Sequence, residues 1–134
     1  MPTISAELLD TLKTLRSRAY APYSDHPVAA VVESASGQQF GGTNVEVAHF
    51  KSTCAESSAI SAMIAAGETR VSRVIILGPG AQACPPCGDC RQRLREFAAS
   101  DLPIVAVDDS GTILFEKTLE ALLPDSFGPD HLSV

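Results

Sequence analysis

Leu8, Leu12, Leu15 and Ala19 recur at spacings of four and three near the start of the chain, so they share one face of a predicted helix. Ser5 can cap that helix, and Pro22 is read as its end. Val28 to Glu33 and Phe40 to Val45 read as strands joined by the turn Ser34-Ala35-Ser36-Gly37. The run from Cys54 to Ala66 is rich in Ala, Ile and Met and closes on Gly67, which predicts a buried helix. Arg73 to Leu77 supplies a β-branched strand, and Pro86 opens a helix from Cys87 to Ala99. Pro103 to Val107 and Thr112 to Phe115 are predicted strands around Asp108-Asp109-Ser110-Gly111, and Thr118 to Leu123 is a short last helix.

The resulting order, α-β-β-α-β-α-β-β-α, places the chain in the α/β class, with a mixed sheet and helices on both faces. A length of 134 residues with 45% hydrophobic content suits one core, and the expectation is a single domain over residues 1–134. A net charge of −6 and the lack of a basic run argue against a nucleic-acid partner, since phosphate binding rests on clustered Lys and Arg. The chain has no apolar stretch of membrane-spanning length and no charged-then-apolar start, so a soluble, cytoplasmic protein without a membrane partner is expected.

Chemistry enters with Cys54-Ala55-Glu56 and Pro86-Cys87-Gly88-Asp89-Cys90. The two segments offer three thiolates for Zn²⁺ and a carboxylate, Glu56, that can stay off the metal and move protons. Zinc with three protein ligands keeps a fourth position for water and lowers that water's pKa. The predicted elements put Cys54 at the amino end of one helix and Cys87 with Cys90 in the first turn of another, where the helix dipole stabilises thiolates. Two non-catalytic alternatives use the same residues: a closed four-cysteine zinc site including Cys84, or an iron–sulfur module. Neither requires Glu56 two residues after Cys54, or Pro86 before Cys87.

Further segments extend the pattern: Ala19-Tyr20-Ala21-Pro22-Tyr23-Ser24, Asn44-Val45-Glu46, Cys90-Arg91-Gln92 and Leu122-Leu123-Pro124-Asp125-Ser126-Phe127-Gly128-Pro129. In content and order these resemble the short, homotetrameric, zinc-dependent cytidine deaminase family, from about Ala19 to Leu132. The resemblance implies a three-layer α/β/α cytidine deaminase-like fold with a mixed five-stranded sheet. It implies Zn²⁺ on Cys54, Cys87 and Cys90, with Cys84 outside the ligand set and Glu56 as the general acid/base. Asn44 and Glu46 would hydrogen-bond the ribose, and His26 and Ala55 would border the base. Phe127 would reach into a neighbouring subunit's pocket. The implied reaction is hydrolytic deamination of cytidine or deoxycytidine to uridine or deoxyuridine with release of ammonia, in pyrimidine salvage.

Three departures concern the substrate. The family's Tyr-Ser-x-Phe-x-Val-Gly-Ala-Ala reads here Tyr23-Ser24-Asp25-His26-Pro27-Val28-Ala29-Ala30-Val31, so His26 replaces an aromatic wall. Val47 replaces an asparagine, and Ser57 replaces an arginine that in the family offsets the charge of the ligand sulfurs. Three thiolates on Zn²⁺ leave a formal −1, which Ser57 is expected not to offset; Lys51 is the nearest basic residue in sequence. The alternative substrate is a modified cytidine or an aminoacyl nucleoside antibiotic of the blasticidin S kind.

Overall fold

A computed structural model describes residues 2–133 of the chain. Its first helix, α1 (Ala6–Arg18), starts as expected: the Ser5 hydroxyl accepts from the Leu8 N–H at 3.1 Å. It ends four residues before Pro22, so proline is not what stops it. Ala19 is extended, the Tyr20 N–H donates to the Asn44 carbonyl, and the Glu46 N–H donates to the Tyr20 carbonyl. Pairing with a distant segment captures the backbone before the proline is reached.

Five strands follow: β1 (Ala29–Ser34), β2 (Gln39–Thr43), β3 (Val71–Leu77), β4 (Pro103–Val107) and β5 (Ile113–Thr118), in the spatial order β2-β1-β3-β4-β5. Only β3 and β4 run parallel, joined through helix α3 (Gly88–Phe97), so the sheet is mixed. Side-chain alternation divides the core in two. Ala29, Val31, Ile75, Leu77, Val105 and Val107 pack with Leu8 and Leu12 of α1 on one face. On the other, Ala30, Val32, Val74, Ile76 and Ile104 pack against α2 (Ala55–Ala65), α3 and the short α4 (Leu119–Leu122). This three-layer α/β/α sandwich explains why the middle strands read as unbroken apolar runs: both their faces are covered.

The end of β5 shifts for a physical reason. β5 continues through the polar Glu116-Lys117-Thr118, because its backbone ladder with β4 reaches the Pro103–Thr118 pair whatever the side chains are. Beyond α4, Pro129–Leu132 form a 3₁₀ turn that the sequence reading leaves unassigned.

The close seat of α2 on β2 positions the site. A β-carbon added to Gly42 would lie 2.3 Å from the Ala55 carbonyl oxygen and 2.4 Å from the Ala59 nitrogen, both rigid backbone. The Ser58 hydroxyl adds a hydrogen bond to the Thr43 carbonyl at 2.9 Å. Gly42→Ala is therefore expected to push α2 off the sheet and destabilise the fold by about 1–3 kcal/mol. Thermal unfolding would check this, and an unchanged melting temperature would show that the contact is not binding.

Candidate active site

The strand register brings the segments that carry His26, Asn44, Cys54 with Glu56, and Cys84 with Cys87 to one end of the sheet. Ala29, at the start of β1, lies opposite both Thr43, at the end of β2, and Leu77, at the end of β3. The stretches before β1, after β2 and after β3 therefore converge, and the amino ends of α2 and α3 meet them. Cys54 and Cys87 are not helical residues but the N-caps of α2 and α3, both extended and neither spending its side chain on a cap hydrogen bond. Cys90 sits in the first turn of α3, fully buried.

The three sulfurs lie within 4.8 Å of one another, with Cys54 Sγ and Cys87 Sγ 3.7 Å apart. Tetrahedral zinc with bonds of ~2.3 Å needs sulfur separations of ~3.8 Å, so this donor set fits the ion. The Cys54 thiol is lowered to about 6, chiefly by a hydrogen bond from Cys90 and then by one from Cys87, against the cost of burial. The same hydrogen bond, with burial, pushes Cys90 up. One member of the cluster thus ionises readily even before a cation shares the charge.

Glu56 occupies the first turn of α2 and is only 4% exposed. Burial raises its carboxyl to about 7, while its own backbone N–H and the Cys90 thiol hold it back. It faces a cavity of about 230 Å³ shared with His26, Val28, Asn44, Cys54, Cys84 and Cys87, with Ala55 also on its wall. A carboxyl that exchanges protons near neutrality, beside three metal-ready sulfurs and in a cavity of small-molecule dimensions, is equipped for metal-assisted hydrolysis. Larger clefts exist between α3 and the C-terminal segment and between α2 and α3, but neither is lined by any of the three cysteines.

The comparisons with known proteins agree with this chemistry. The profile of the family described as the cytidine and deoxycytidylate deaminase zinc-binding region matches residues 3–106. The chain belongs to this family. Over 128 residues it is 31% identical to a cytidine deaminase of Sporosarcina psychrophila, covering 95% of this chain and 93% of that protein. The crystal structure of cytidine deaminase from Burkholderia pseudomallei superposes with a TM-score of 0.83 at 32% identity, over 92% of this chain and all of that one. That of Mycobacterium tuberculosis gives 0.79 at 28% identity, over 93% and 98%. The fold is the cytidine deaminase fold, and the zinc cofactor comes with the family.

Within this deaminase scaffold the remaining residues fall into place unevenly. Asn44 borders the cavity, but both ends of its amide are engaged: Oδ1 accepts from the Val28 N–H and Nδ2 donates to the His26 carbonyl, each at 2.9 Å. Glu46 is not on the cavity wall. Its carboxylate accepts from the Tyr23 and Ser24 N–H groups at 3.0 and 3.1 Å and from the Ser24 hydroxyl, which holds its pKa below the usual carboxylate range. Phe127 also lies outside the cavity, 56% exposed and stacked on His131 with ring centroids 5.1 Å apart.

Ser57 meets one sulfur of the cluster. Its hydroxyl lies 3.7 Å from Cys90 Sγ in a buried setting, within hydrogen-bond reach of that sulfur, and brings no charge. Lys51 is exposed and makes no hydrogen bond or ion pair among the described residues. Arg93 on α3 favours the Cys54 thiolate, but its partner Asp89 acts in opposition and more strongly, so this pair does not offset the cluster's charge. Arg91 and Gln92, of undecided role in the sequence, hold the chain end. Arg91 donates to the Pro86 and Leu122 carbonyls at 2.8 and 2.9 Å, and Gln92 donates to the Phe127 carbonyl at 2.8 Å. No local sequence signal marks these contacts.

Proposed function

We propose that this chain is a zinc-dependent hydrolase that deaminates cytidine or deoxycytidine to uridine or deoxyuridine, releasing ammonia. The observation that carries the reading is the buried Glu56 carboxyl facing a small cavity beside three sulfurs spaced for zinc. Cys54, Cys87 and Cys90 would hold the ion, which when bound supplies a hydrolytic nucleophile by lowering the pKa of water. Glu56 takes one proton from the attacking water and delivers it to N3 of the pyrimidine, then takes the second from the new C4 hydroxyl and passes it to the 4-amino group, so that the C4 carbonyl forms as the C4–N bond breaks and ammonia leaves. Its raised pKa suits both halves of that task, since it gives up a proton almost as readily as it takes one at neutral pH. Asn44, Ala55 and His26 would border the substrate. Glu46 would serve through the loop it braces, with or without direct contact to the ribose.

A closed four-cysteine site is disfavoured by the position of Cys84, whose thiol pairs with His26 and stands outside the sulfur cluster. Incubating the zinc-loaded protein with a panel of cytidine, deoxycytidine, their N4- and C5-substituted forms and an aminoacyl cytosine nucleoside, and assaying ammonia, tests the reading. Cytidine or deoxycytidine should be turned over; failure on the whole panel would sink the proposal.

The finer parts of the reading are a homotetramer in the cytoplasm, acting in pyrimidine salvage and built from single domains over residues 1–134. No helix of the described residues is long and apolar enough to cross a membrane. The exposed Phe127 supports a site completed by a neighbouring subunit. Phe127→Ala should then raise KM by roughly tenfold or more, as loss of an aromatic contact to a base does, and leave bound zinc unchanged. Steady-state kinetics with sedimentation check it, and an unaltered KM would remove Phe127 from the site.

A further inference from the structure

Cys84 stands outside the sulfur cluster, yet it is not idle. Its Sγ lies 3.8 Å from Nε2 of His26, and both side chains line the cavity that Glu56 faces. The backbone behind it leaves room for this thiol and little else: a β-carbon on Gly78 would come 2.5 Å from Cys84 Cβ and 3.0 Å from its sulfur. His26, in turn, is held by its main chain from two sides. Its N–H donates to the Ser24 hydroxyl at 3.1 Å, and its carbonyl accepts from Asn44 Nδ2 at 2.9 Å. Ser24 is itself fixed by Glu46. The freedom that remains to His26 is rotation of its ring, and Cys84 is the ring's hydrogen-bond partner among the described residues.

We propose that Cys84 is a positioning residue that fixes the rotamer and tautomer of His26, and so makes the pair a determinant of which pyrimidine nucleoside the cavity accepts. The substrate half of this inference rests on the deaminase reading above. A thiol that donates to Nε2 requires a neutral imidazole with its proton on Nδ1. Burial favours the donor form, holding the Cys84 thiol up at about 11. The ring then presents one defined edge toward the cavity in place of a plain apolar face. Substituents on the base meet a polar, directional wall.

The test uses the zinc-loaded protein and the ¹⁵N resonances of its imidazoles, with His26→Phe identifying the His26 signals. Wild type and Cys84→Ser, which keeps a donor, should show His26 protonated on Nδ1, whereas Cys84→Ala should show a mixture or the opposite tautomer. The same pattern in all three would overturn the proposal. Kinetically, Cys84→Ala should raise KM for cytidine about twofold to tenfold, the usual worth of one hydrogen bond, with little change in kcat. It should also shift the kcat/KM ratio of substituted cytidines over cytidine in the same direction as His26→Phe. The double variant should shift that ratio no further, because the two residues act as one unit. Additive shifts, or no shift in Cys84→Ala, would refute the specificity role. If wild type deaminates no nucleoside, the functional reading fails separately, and the imidazole resonances still decide whether Cys84 sets the ring.

Discussion

Glu56→Gln is expected to lower kcat by about 10²- to 10⁴-fold, the usual cost of a positioned general acid/base, while zinc stays bound and the melting temperature does not fall. The amide has nearly the shape of the carboxyl, so packing at the start of α2 is preserved, and Glu56 is not among the three clustered sulfur donors. Stability should hold for a second reason. Burial works against the charged carboxylate at this position, and a neutral amide removes that cost. The loss would therefore be confined to proton transfer. Single-turnover rates together with zinc stoichiometry check it, and retention of more than about a tenth of wild-type activity would remove Glu56 from its role.

Cys90→Ala is expected to have the largest effect on the protein itself. The sulfur is wholly buried, lies beside Ser57 and Cys54, and helps bring the amino ends of α2 and α3 to one point. Without it two donors remain, the ion is lost, and with it the stabilisation that a ligand bound only to the folded state provides. At saturating zinc that amounts to roughly 3–4 kcal/mol, or about 10 °C in melting temperature for a domain of this size. Cys84→Ala, by contrast, should keep one zinc per chain. Metal analysis and calorimetry on both variants decide the ligand set, and zinc retained by Cys90→Ala but lost by Cys84→Ala would reverse it.

Most of the fold was legible because its signals are local. Val74 to Leu77 and Ile104 to Val107 are buried on both faces and read as strands from their side chains alone, and the Leu8–Leu12 spacing marks α1. The ends of elements were less legible. Cys54 and Cys87 read as helical, since Thr53 and Pro86 directly before them look like a helix start and cysteine is not a usual cap; as extended N-caps they leave their sulfurs free of cap hydrogen bonds. The meeting of Cys54, Cys87 and Cys90 with Glu56 beside them could be read for the same local reason, since it rests on two short motifs with fixed spacing. The bracing of His26 by Asn44 and Glu46 could not, because it depends on a loop meeting a strand end some twenty residues away. Nor could the Ser57–Cys90 contact, between helices 33 residues apart in sequence.

The two sets of contacts that α3 makes have a thermodynamic consequence. Its first turn carries Cys90 with Cys87 as its cap, while Arg91, Gln92 and Arg95 reach the carbonyls of Leu122 and Phe127 and the side chains of Ser126 and Asp130. One short rigid rod therefore answers to two loads. By linkage, a ligand that favours one set of contacts favours binding at the other by the same factor. An ion on the sulfurs would firm the chain terminus, and a neighbour gripping that terminus would tighten the hold on the ion. If a second subunit binds at that terminus, metal loading and assembly would then be linked steps and not independent ones.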